Sequence, residues 1–280
     1  MIINLIKAIV FGIIEGITEW IPVSSTAHMM VLNKIIPLDV DQGFYYVFEV
    51  VIQLAAIIAL VIIFWNKIWP FGKTNNPLGK GVLSYCKKDK FILWIKIAIS
   101  CIPVIIYELF ITDYVHMINE NNEMIFVGVA LIVVGIIFAF VEMFILDKKP
   151  RITSTKNISY IDALIIGTVQ LIAAIFPGVS RSGITIICAL LMGISRTTSV
   201  EYTFELSIPT MAGASLMRII KSTLIFSLEE MLILLLGCVA AFFVSLFMIR
   251  FVLNFIRRNK FTMFGIYRVV LGIILLVFFR

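Results

Sequence analysis

Two acids in the first apolar stretch, Glu15 and Glu19, are four residues apart. On a helix this spacing places both carboxylates on one face, where like charges repel each other. Burying each charge in a membrane also costs a few kcal/mol. Such a pair is expected only where a reaction uses it or where a cation neutralises it, and that cation would be a divalent metal or an arginine. Carboxylate oxygens favour Mg²⁺ or Ca²⁺ over a transition metal.

The residues after this acidic pair are suited to binding and attacking phosphorus. Pro22 is expected to end the helix, because proline lacks an N–H and clashes with the preceding turn. Ser24, Ser25 and Thr26 follow, and taken singly they fit helix caps, with His28 as an interfacial histidine. Taken together with the two acids they favour a reaction centre, since a helix N-terminus binds phosphate and His28 could serve as base or nucleophile.

A second polar cluster, PGVSRSGIT, interrupts another apolar stretch at residues 177–185. Its central residue is Arg181, whose planar guanidinium matches phosphate oxygens and is costly to place at membrane depth. The alternatives are that Arg181 extends to the interface or pairs with one of the glutamates. The predicted anion cradle includes Ser180, Ser182 and Thr185. Acids on one turn and an arginine cradle on the other are parts that phosphoryl transfer needs.

The elements that position these clusters are predicted to be membrane helices. The chain of 280 residues is 61% hydrophobic and 14% charged, with a mean hydropathy of +1.08. A soluble domain is about 45–50% apolar and about 25% charged, so this chain has too little polar surface for a soluble globule. The net charge of +6 is spread over short loops. That distribution indicates membrane orientation and argues against nucleic-acid binding.

Six segments are long enough to cross a bilayer as helices, which takes about 20 apolar residues. Lysine and arginine bias orients them. The loops 67–90, 147–156 and 250–260 are basic and expected in the cytoplasm, whereas 112–123 and 221–230 are expected outside. The predicted spans are 44–65, 91–111, 124–146, 201–220, 231–251 and 263–279.

Two stretches are left over, 1–43 and 157–200, and each is broken at its centre by a cluster of Pro, Ser and Gly. The second must enter the membrane and return without crossing it, because both of its ends are predicted in the cytoplasm. The first is expected to do the same from outside. The stretches also match in sequence: Gly12, Glu15, Pro22 and Ser25 fall on Gly167, Gln170, Pro177 and Ser180 at an offset of 155, and Phe48 and Glu49 fall on Phe204 and Glu205 at 156.

The predicted fold is therefore an all-α integral membrane protein built as an inverted-topology repeat, with six transmembrane helices and two re-entrant helix hairpins. It is one membrane domain, 1–280, with repeat one at about 1–111, repeat two at about 157–280, and 112–156 connecting them. Broken helices in such folds build their sites near the bilayer midplane. The prediction requires that Glu19 and Arg181 come close together.

Two motifs, EGITEWIPVSSTAH and PGVSRSGIT, resemble the signatures of the undecaprenyl-diphosphate phosphatases of the bacitracin-resistance type. The segments FEVVIQ, LLMGISR and YRVVLG are also similar, so the resemblance covers nearly the whole chain. Ala27 stands where many members have glycine. The resemblance implies a metal-dependent enzyme of the plasma membrane, with its site open to the extracytoplasmic side. Such an enzyme removes the terminal phosphate of undecaprenyl diphosphate and recycles the lipid carrier of cell-wall synthesis.

The resemblance also implies roles for particular residues. Glu15 and Glu19 would hold a divalent cation, Mg²⁺ or Ca²⁺, or assist proton transfer, and Arg181 would bind the diphosphate. Ser25 and His28 are the candidate nucleophile and base, in either order. The remaining phosphate-binding candidates are Ser24, Thr26, Ser180, Ser182 and Thr185.

A second hypothesis is a lipid-phosphate transporter or flippase, because inverted repeats with broken helices are typical of transporters. It predicts lipid movement without hydrolysis. Glu49 and Glu205 are explained equally well as site residues or as interfacial acids near a helix N-terminus. The expected partners are a polyprenyl diphosphate lipid and the plasma membrane, with no nucleic acid, and a homodimer is left open.

Overall fold

The computed structural model describes residues 1–110, 123–145, 148–221 and 226–278, and these residues form helices joined by turns and short loops. Residues 112–122 of one predicted outer loop and 222–225 of the other therefore lie outside the described residues. Two short 3₁₀ turns, Gly81–Tyr85 and Thr155–Asn157, occur in loops. The α-helices are α1 Ile2–Thr18, α2 Ser25–Ile35, α3 Gln42–Ile68, α4 Lys88–Phe110, α5 Glu123–Ile145, α6 Tyr160–Val169, α7 Leu171–Ile175, α8 Arg181–Leu191, α9 Arg196–Lys221, α10 Leu228–Ile256 and α11 Thr262–Phe278.

Four helices in the described part of the chain are long and apolar enough to cross a bilayer, namely α3, α4, α5 and α10. They contain four of the six predicted spans. The predicted span 201–220 lies in α9, which has 26 residues but includes Glu201, Glu205 and Arg218. The span 263–279 corresponds to α11, which is apolar but has 17 residues. The count of six spans therefore stays a prediction.

Each of the two leftover stretches forms helices separated by a break, as predicted. The first break, residues 19–24, lies between α1 and α2, and the second break, residues 176–180, lies between α7 and α8. Each ends on a serine with positive φ, Ser24 at 73° and Ser180 at 69°. Both serines cap the next helix, because their side chains accept hydrogen bonds from the N–H groups of Ala27 and Gly183. The two breaks thus share one local structure.

This shared cap corrects one detail of the sequence match. Ser24, and not Ser25, occupies the position equivalent to Ser180, because both have left-handed backbone and the same capping bond. The offset of 156 therefore applies from the capping serines onward. Ser25 then corresponds to Arg181, the first residue of the helix that follows the second break.

Glycines allow the broken helices to pack closely on long helices. A Cβ on Gly12 of α1 would lie 2.2 Å from the backbone oxygen of Gly237 in α10. A Cβ on Gly167 of α6 would lie 2.2 Å from the backbone oxygen of Ser100 in α4. Gly12 and Gly167 are a matched pair in the sequence comparison, and neither position has room for a methyl group. Each broken stretch is therefore fixed against a long helix from the other half of the chain.

The first break is buried within the bundle. Trp20 is almost fully buried and packs edge-on against Phe204 of α9, with ring centroids 5.2 Å apart. Trp20 belongs to the same hydrophobic core as Val179, which lies in the second break. Irregular backbone is tolerated in an apolar bundle where protein surrounds it or where it lines a cavity. The largest core cluster thus holds both breaks in place.

Candidate active site

The two breaks meet, and Glu19 and Arg181 form an ion pair between them. Arg181 Nη2 donates to Glu19 Oε1 at 2.9 Å, and the two side chains are 19% and 8% exposed. The prediction that these residues come close together is confirmed. Two alternatives to an anion cradle were extension of Arg181 to the membrane interface and pairing with a glutamate. In the structure Arg181 pairs with Glu19. Arg181 is the first residue of α8, where Ser180 caps the helix.

Glu19 also joins the first break to the following helix. Its other carboxylate oxygen, Oε2, accepts a hydrogen bond of 2.7 Å from Ser25 Oγ at the start of α2. The backbone of Glu19 is still helical and its N–H donates to the carbonyl of Glu15. The acids are therefore one helical turn apart, as predicted. The Glu19 carboxylate contacts both the Ser25 hydroxyl and the Arg181 guanidinium. It can therefore accept the proton of Ser25 while Arg181 supplies positive charge beside it.

His28 is not directed at Ser25. Its Nδ1 lies 2.7 Å from the carbonyl oxygen of Ser24, and its Nε2 lies 2.7 Å from the hydroxyl of Tyr267. Because a carbonyl only accepts, Nδ1 donates, and in the neutral imidazole Nε2 accepts from the Tyr267 hydroxyl. The two rings are also stacked, with centroids 5.7 Å apart. Both ring nitrogens are thus engaged outside the contact between Ser25 and Glu19.

The hydroxyls after the second break have two different roles. Ser180 Oγ lies 3.3 Å from Ser182 Oγ, and both residues line the cavity described below. Thr185 is fully buried, and its hydroxyl donates to the backbone oxygens of Arg181 and Ser182 and lies 3.1 Å from Thr203 Oγ1. Thr185 is not among the residues that line the cavity and lies in the packing of α8 against α9, so its place in the phosphate pocket stays a prediction.

A cavity of about 220 Å³ lies between the two breaks. Both capped helix N-termini open onto it, which suits an anion because free N–H groups and the helix dipole favour negative charge there. Glu15 and His28 are not among its lining residues, and neither are Glu49 and Glu205. Its polar lining from the predicted set comprises Glu19, Ser24, Ser25, Thr26, Ser180, Arg181 and Ser182.

Several buried polar atoms around this site have no hydrogen-bond partner within the described residues. They are Glu15 Oε1, Trp20 Nε1, Arg181 Nη1, Arg268 Nε and both amide atoms of Gln170. A buried polar group without a partner costs about 1–3 kcal/mol. The presence of several such groups around one site therefore requires an explanation. A phosphate group with bound water would supply acceptors to Arg181 and Gln170. The unpartnered atoms therefore support an anion as the ligand of the cavity.

Sequence reasoning missed some residues of the site. Gln53, Gln170 and Thr210 line the cavity, and Gln170 was considered only as the counterpart of Glu15. Arg268 is fully buried beneath both breaks and donates hydrogen bonds to their carbonyl oxygens. A signal for Arg268 existed, because a charged residue in the middle of a predicted span is a candidate functional residue.

The acids fit a divalent cation in part. Among the described residues, no cluster of three or more His, Cys, Asp or Glu side chains could hold a metal ion. Both oxygens of Glu19 already accept protein hydrogen bonds, whereas Glu15 Oε1 has no partner. Mg²⁺ is commonly held by one or two carboxylates together with substrate phosphate oxygens. Glu15 therefore fits such a cation better than the pair Glu15 and Glu19 does.

Several long apolar helices around a buried cluster of carboxylate, hydroxyl and guanidinium groups indicate a multi-pass membrane protein. The family model described as bacitracin resistance protein BacA matches residues 8–274. The chain belongs to this family.

Curated relatives agree over almost the whole length. The chain is 47% identical to Undecaprenyl-diphosphatase 1 of Clostridium acetobutylicum over 277 residues, which is 99% of this chain and 98% of that protein. It is 43% identical to Undecaprenyl-diphosphatase of Desulfitobacterium hafniense over 99% of this chain and 97% of that protein. Undecaprenyl-diphosphatase of Enterococcus faecalis is 42% identical over 98% of this chain and 97% of that protein.

Proposed function

We propose that this protein hydrolyses undecaprenyl diphosphate to undecaprenyl phosphate and inorganic phosphate, and so recycles the lipid carrier of cell-wall synthesis. The names of its relatives support the substrate and the reaction. The observation that carries the proposal is the three-residue contact of Ser25, Glu19 and Arg181 across the two breaks. It supplies a hydroxyl, a proton acceptor and a fixed positive charge, which are the groups that phosphoryl transfer uses.

Arg181 is proposed to bind the terminal phosphate. Its Nη2 is held by Glu19, while Nη1 is buried and has no hydrogen-bond partner within the described residues, so this nitrogen has a donor that a phosphate oxygen would satisfy. The N-termini of α2 and α8 add donors on either side of the cavity. These groups favour the transition state, because they are already oriented when negative charge shifts towards the leaving oxygen.

Ser25 is proposed as the nucleophile, with Glu19 as its base. Ser25 Oγ would form a bond to the terminal phosphorus while its proton passes to Glu19 Oε2, which already accepts it as a hydrogen bond. The bond from phosphorus to the bridging oxygen breaks, and undecaprenyl phosphate leaves with that electron pair. Water then attacks the phosphoserine, releasing inorganic phosphate and restoring Ser25. The proton first taken by Glu19 leaves with the departing undecaprenyl phosphate. Glu19 then takes a proton from the attacking water and returns it to Ser25 Oγ as the bond from phosphorus to Oγ breaks.

His28 is proposed to support the first break. Its Nδ1 donates to the carbonyl of Ser24, the residue that caps α2 and precedes the nucleophile. Direct proton transfer by His28 would require Nε2 to leave Tyr267. The role of His28 as base therefore stays a prediction. Glu19 is the favoured base, because its carboxylate contacts the Ser25 hydroxyl directly.

A divalent cation, Mg²⁺ or Ca²⁺, is proposed to bind next to Glu15, which lies one helical turn from Glu19 and behind the cavity lining. Its chemistry there would be neutralisation of the charge on the diphosphate. Glu19 would remain with Ser25 and Arg181, because a cation on it would compete with both contacts.

The proposed architecture is the inverted repeat with six spans and two re-entrant hairpins, in the plasma membrane. The matched caps at Ser24 and Ser180 and the matched close approaches at Gly12 and Gly167 support it. An opening to the extracytoplasmic side rests on the family resemblance. The division into repeats at about 1–111 and 157–280, and the homodimer, stay predictions.

Phosphate release from undecaprenyl diphosphate by the purified protein, in detergent with Mg²⁺, tests the proposal. Arg181→Lys keeps the positive charge but loses the planar guanidinium, which can bind two oxygens at once. We expect it to lower kcat/KM by about 100-fold or more. Absence of phosphate release by the wild-type protein would refute the proposed phosphatase activity. The relatives' names do not favour the flippase hypothesis, and lipid transfer across proteoliposomes by an Arg181→Lys variant that no longer hydrolyses would revive it.

A further inference from the structure

Arg268, in the middle of α11, connects the two breaks. Its Nη1 donates to the carbonyl oxygen of Pro22 at 3.2 Å, and its Nη2 donates to those of Gly178 and Val179, both at 2.9 Å. Pro22 lies in the first break, and Gly178 and Val179 lie in the second. One side chain therefore fixes the distance between the segments that carry Glu19 and Arg181.

The charge of Arg268 makes this arrangement costly. The side chain is fully buried, and among the described residues no carboxylate lies within ion-pair distance of it. Taking an unpaired charge out of water costs several kcal/mol, so an apolar side chain would serve the packing of α11 better. A guanidinium, however, presents donors in several directions in one plane and can reach carbonyls on two separate segments. The cost indicates that the separation of the breaks matters.

The helix that carries Arg268 is held rigidly against α5. A Cβ on Gly265 would lie 2.6 Å from the backbone oxygen of Gly135, and a Cβ on Gly272 would lie 2.7 Å from that of Gly128. These glycines flank Arg268 on both sides along α11. The backbones of the two helices are thus in direct contact, and a side chain fixed on such an element can hold its partners precisely.

The neighbouring residue on α11 acts on the first break from another direction. The Tyr267 hydroxyl bonds to Nε2 of His28, and the two rings are stacked in parallel. His28 in turn bonds to the carbonyl of Ser24. Neither Tyr267 nor Arg268 lines the cavity, so any effect on the reaction passes through the residues they hold.

We infer that Tyr267 and Arg268 are positioning residues: Arg268 sets the separation of Glu19 and Ser25 from Arg181, and Tyr267 fixes the His28 ring. The inference rests on the proposed function, because the separation has a kinetic effect only if the cavity turns over a diphosphate. A misplacement of about 1 Å can lower a rate by about 100-fold. The tail of the lipid and the residues of the cavity still bind substrate, so the loss falls on kcat more than on KM.

The test measures kcat and KM for phosphate release from undecaprenyl diphosphate by Arg268→Met, Arg268→Lys and Tyr267→Phe, on monodisperse protein whose thermal unfolding is recorded. We expect kcat to fall about 100-fold in Arg268→Met and about 10-fold or more in Arg268→Lys, since an ammonium cannot reach both breaks. In Tyr267→Phe it should fall about 5-fold, for one lost hydrogen bond. KM should stay within about 3-fold of its normal value. Arg250→Met and Tyr85→Phe, at exposed positions, are the matched controls.

The outcomes separate this inference from the proposed function. A wild-type protein that releases no phosphate overturns both. Normal kcat in folded Arg268→Met and Arg268→Lys, with an active wild type, overturns the inference alone. A lower unfolding temperature with unchanged kcat per folded molecule shows a merely structural role and also overturns it. If Arg268→Met fails to fold, Arg268→Lys and Tyr267→Phe decide, and normal kinetics in both reject the inference.

Discussion

Ser25 and Glu19 are joined across the first break by a hydrogen bond of 2.7 Å, in which the serine hydroxyl donates to the carboxylate. The same carboxylate accepts from Arg181 through its other oxygen. The relative positions of hydroxyl and guanidinium therefore depend on one side chain. His28, three residues after Ser25, is engaged by Ser24 and Tyr267 instead.

This contact predicts that phosphate is transferred to Ser25. Quenching the reaction with acid, after brief exposure to substrate labelled in the terminal phosphate, should leave an acid-stable label on the peptide that contains Ser25. The label should be absent from Ser25→Ala, and turnover there should fall about 1,000-fold or more, because the covalent route is lost. Ser84→Ala, in an exposed 3₁₀ turn, is the control. In a parallel quench at alkaline pH, a label that survives Ser25→Ala and is lost on later acid treatment would identify a histidine as the nucleophile instead.

Replacing Glu19 by glutamine should impair both activity and stability. The amide keeps the shape of the side chain but removes the charge that Arg181 needs and the acceptor that takes the proton of Ser25. Breaking a buried ion pair by removing one partner costs about 3–5 kcal/mol, so the unfolding temperature should fall along with kcat. Glu229→Gln removes an exposed pair with the N-terminal amine and should change neither property measurably. Normal stability in Glu19→Gln would show that the pair with Arg181 contributes little.

The buried amide of Gln170 should affect binding and stability in opposite directions. In Gln170→Leu two buried polar atoms without partners are replaced by apolar ones, which should raise the unfolding free energy of the substrate-free protein by about 1 kcal/mol. The same change removes a donor from the cavity and should raise KM by about 5-fold or more. Thermal unfolding and steady-state kinetics measure the two effects. Gln170→Glu, which adds a negative charge beside the phosphate site, should raise KM further. A destabilised Gln170→Leu with normal KM would mean that the amide has a structural partner.

The glycines at helix contacts allow a matched test of packing. Gly12→Ala and Gly167→Ala place a methyl group against backbone atoms 2.2 Å away and should each lower stability by about 1–3 kcal/mol. Gly213→Ala, in the middle of α9 with nothing within 4 Å of its Cβ, should raise stability by about 0.5–1 kcal/mol. Thermal unfolding in one detergent compares the three. Equal stability of all three variants would show that α1 and α6 move apart easily from their neighbours.

The positions of the breaks followed from local chemistry. Pro22 and Pro177 lack the N–H that a helix uses, and each is followed within three residues by serines that can cap the next helix, so both breaks could be located without coordinates. Proline alone would not have been enough, because Pro103 and Pro209 lie inside α4 and α9. The pairing of Ser24 with Ser180 needed the structure. The capping serine lies two residues after Pro22 but three residues after Pro177, and so short a sequence match does not reveal this difference. Positive φ at Ser24 and Ser180 settled it.

The contribution of α11 could not be predicted in the same way. The segment 263–279 is predominantly apolar, and its mean hydropathy conceals Arg268. The partners of that arginine are backbone carbonyls more than 80 residues away along the chain. Carbonyls have no sequence signature, so only the packing of α11 on both breaks reveals the contact.

The sequence by itself determined the membrane class, the two broken stretches and the residue types of the site, because hydropathy, proline and charge act over short distances along the chain. Only the tertiary structure decided that Glu19 contacts Ser25 and Arg181, that His28 contacts Tyr267, and that Thr185 contacts Thr203. These contacts depend on how the helices pack and on which oxygen or nitrogen reaches which partner. Spacing along the chain does not specify either.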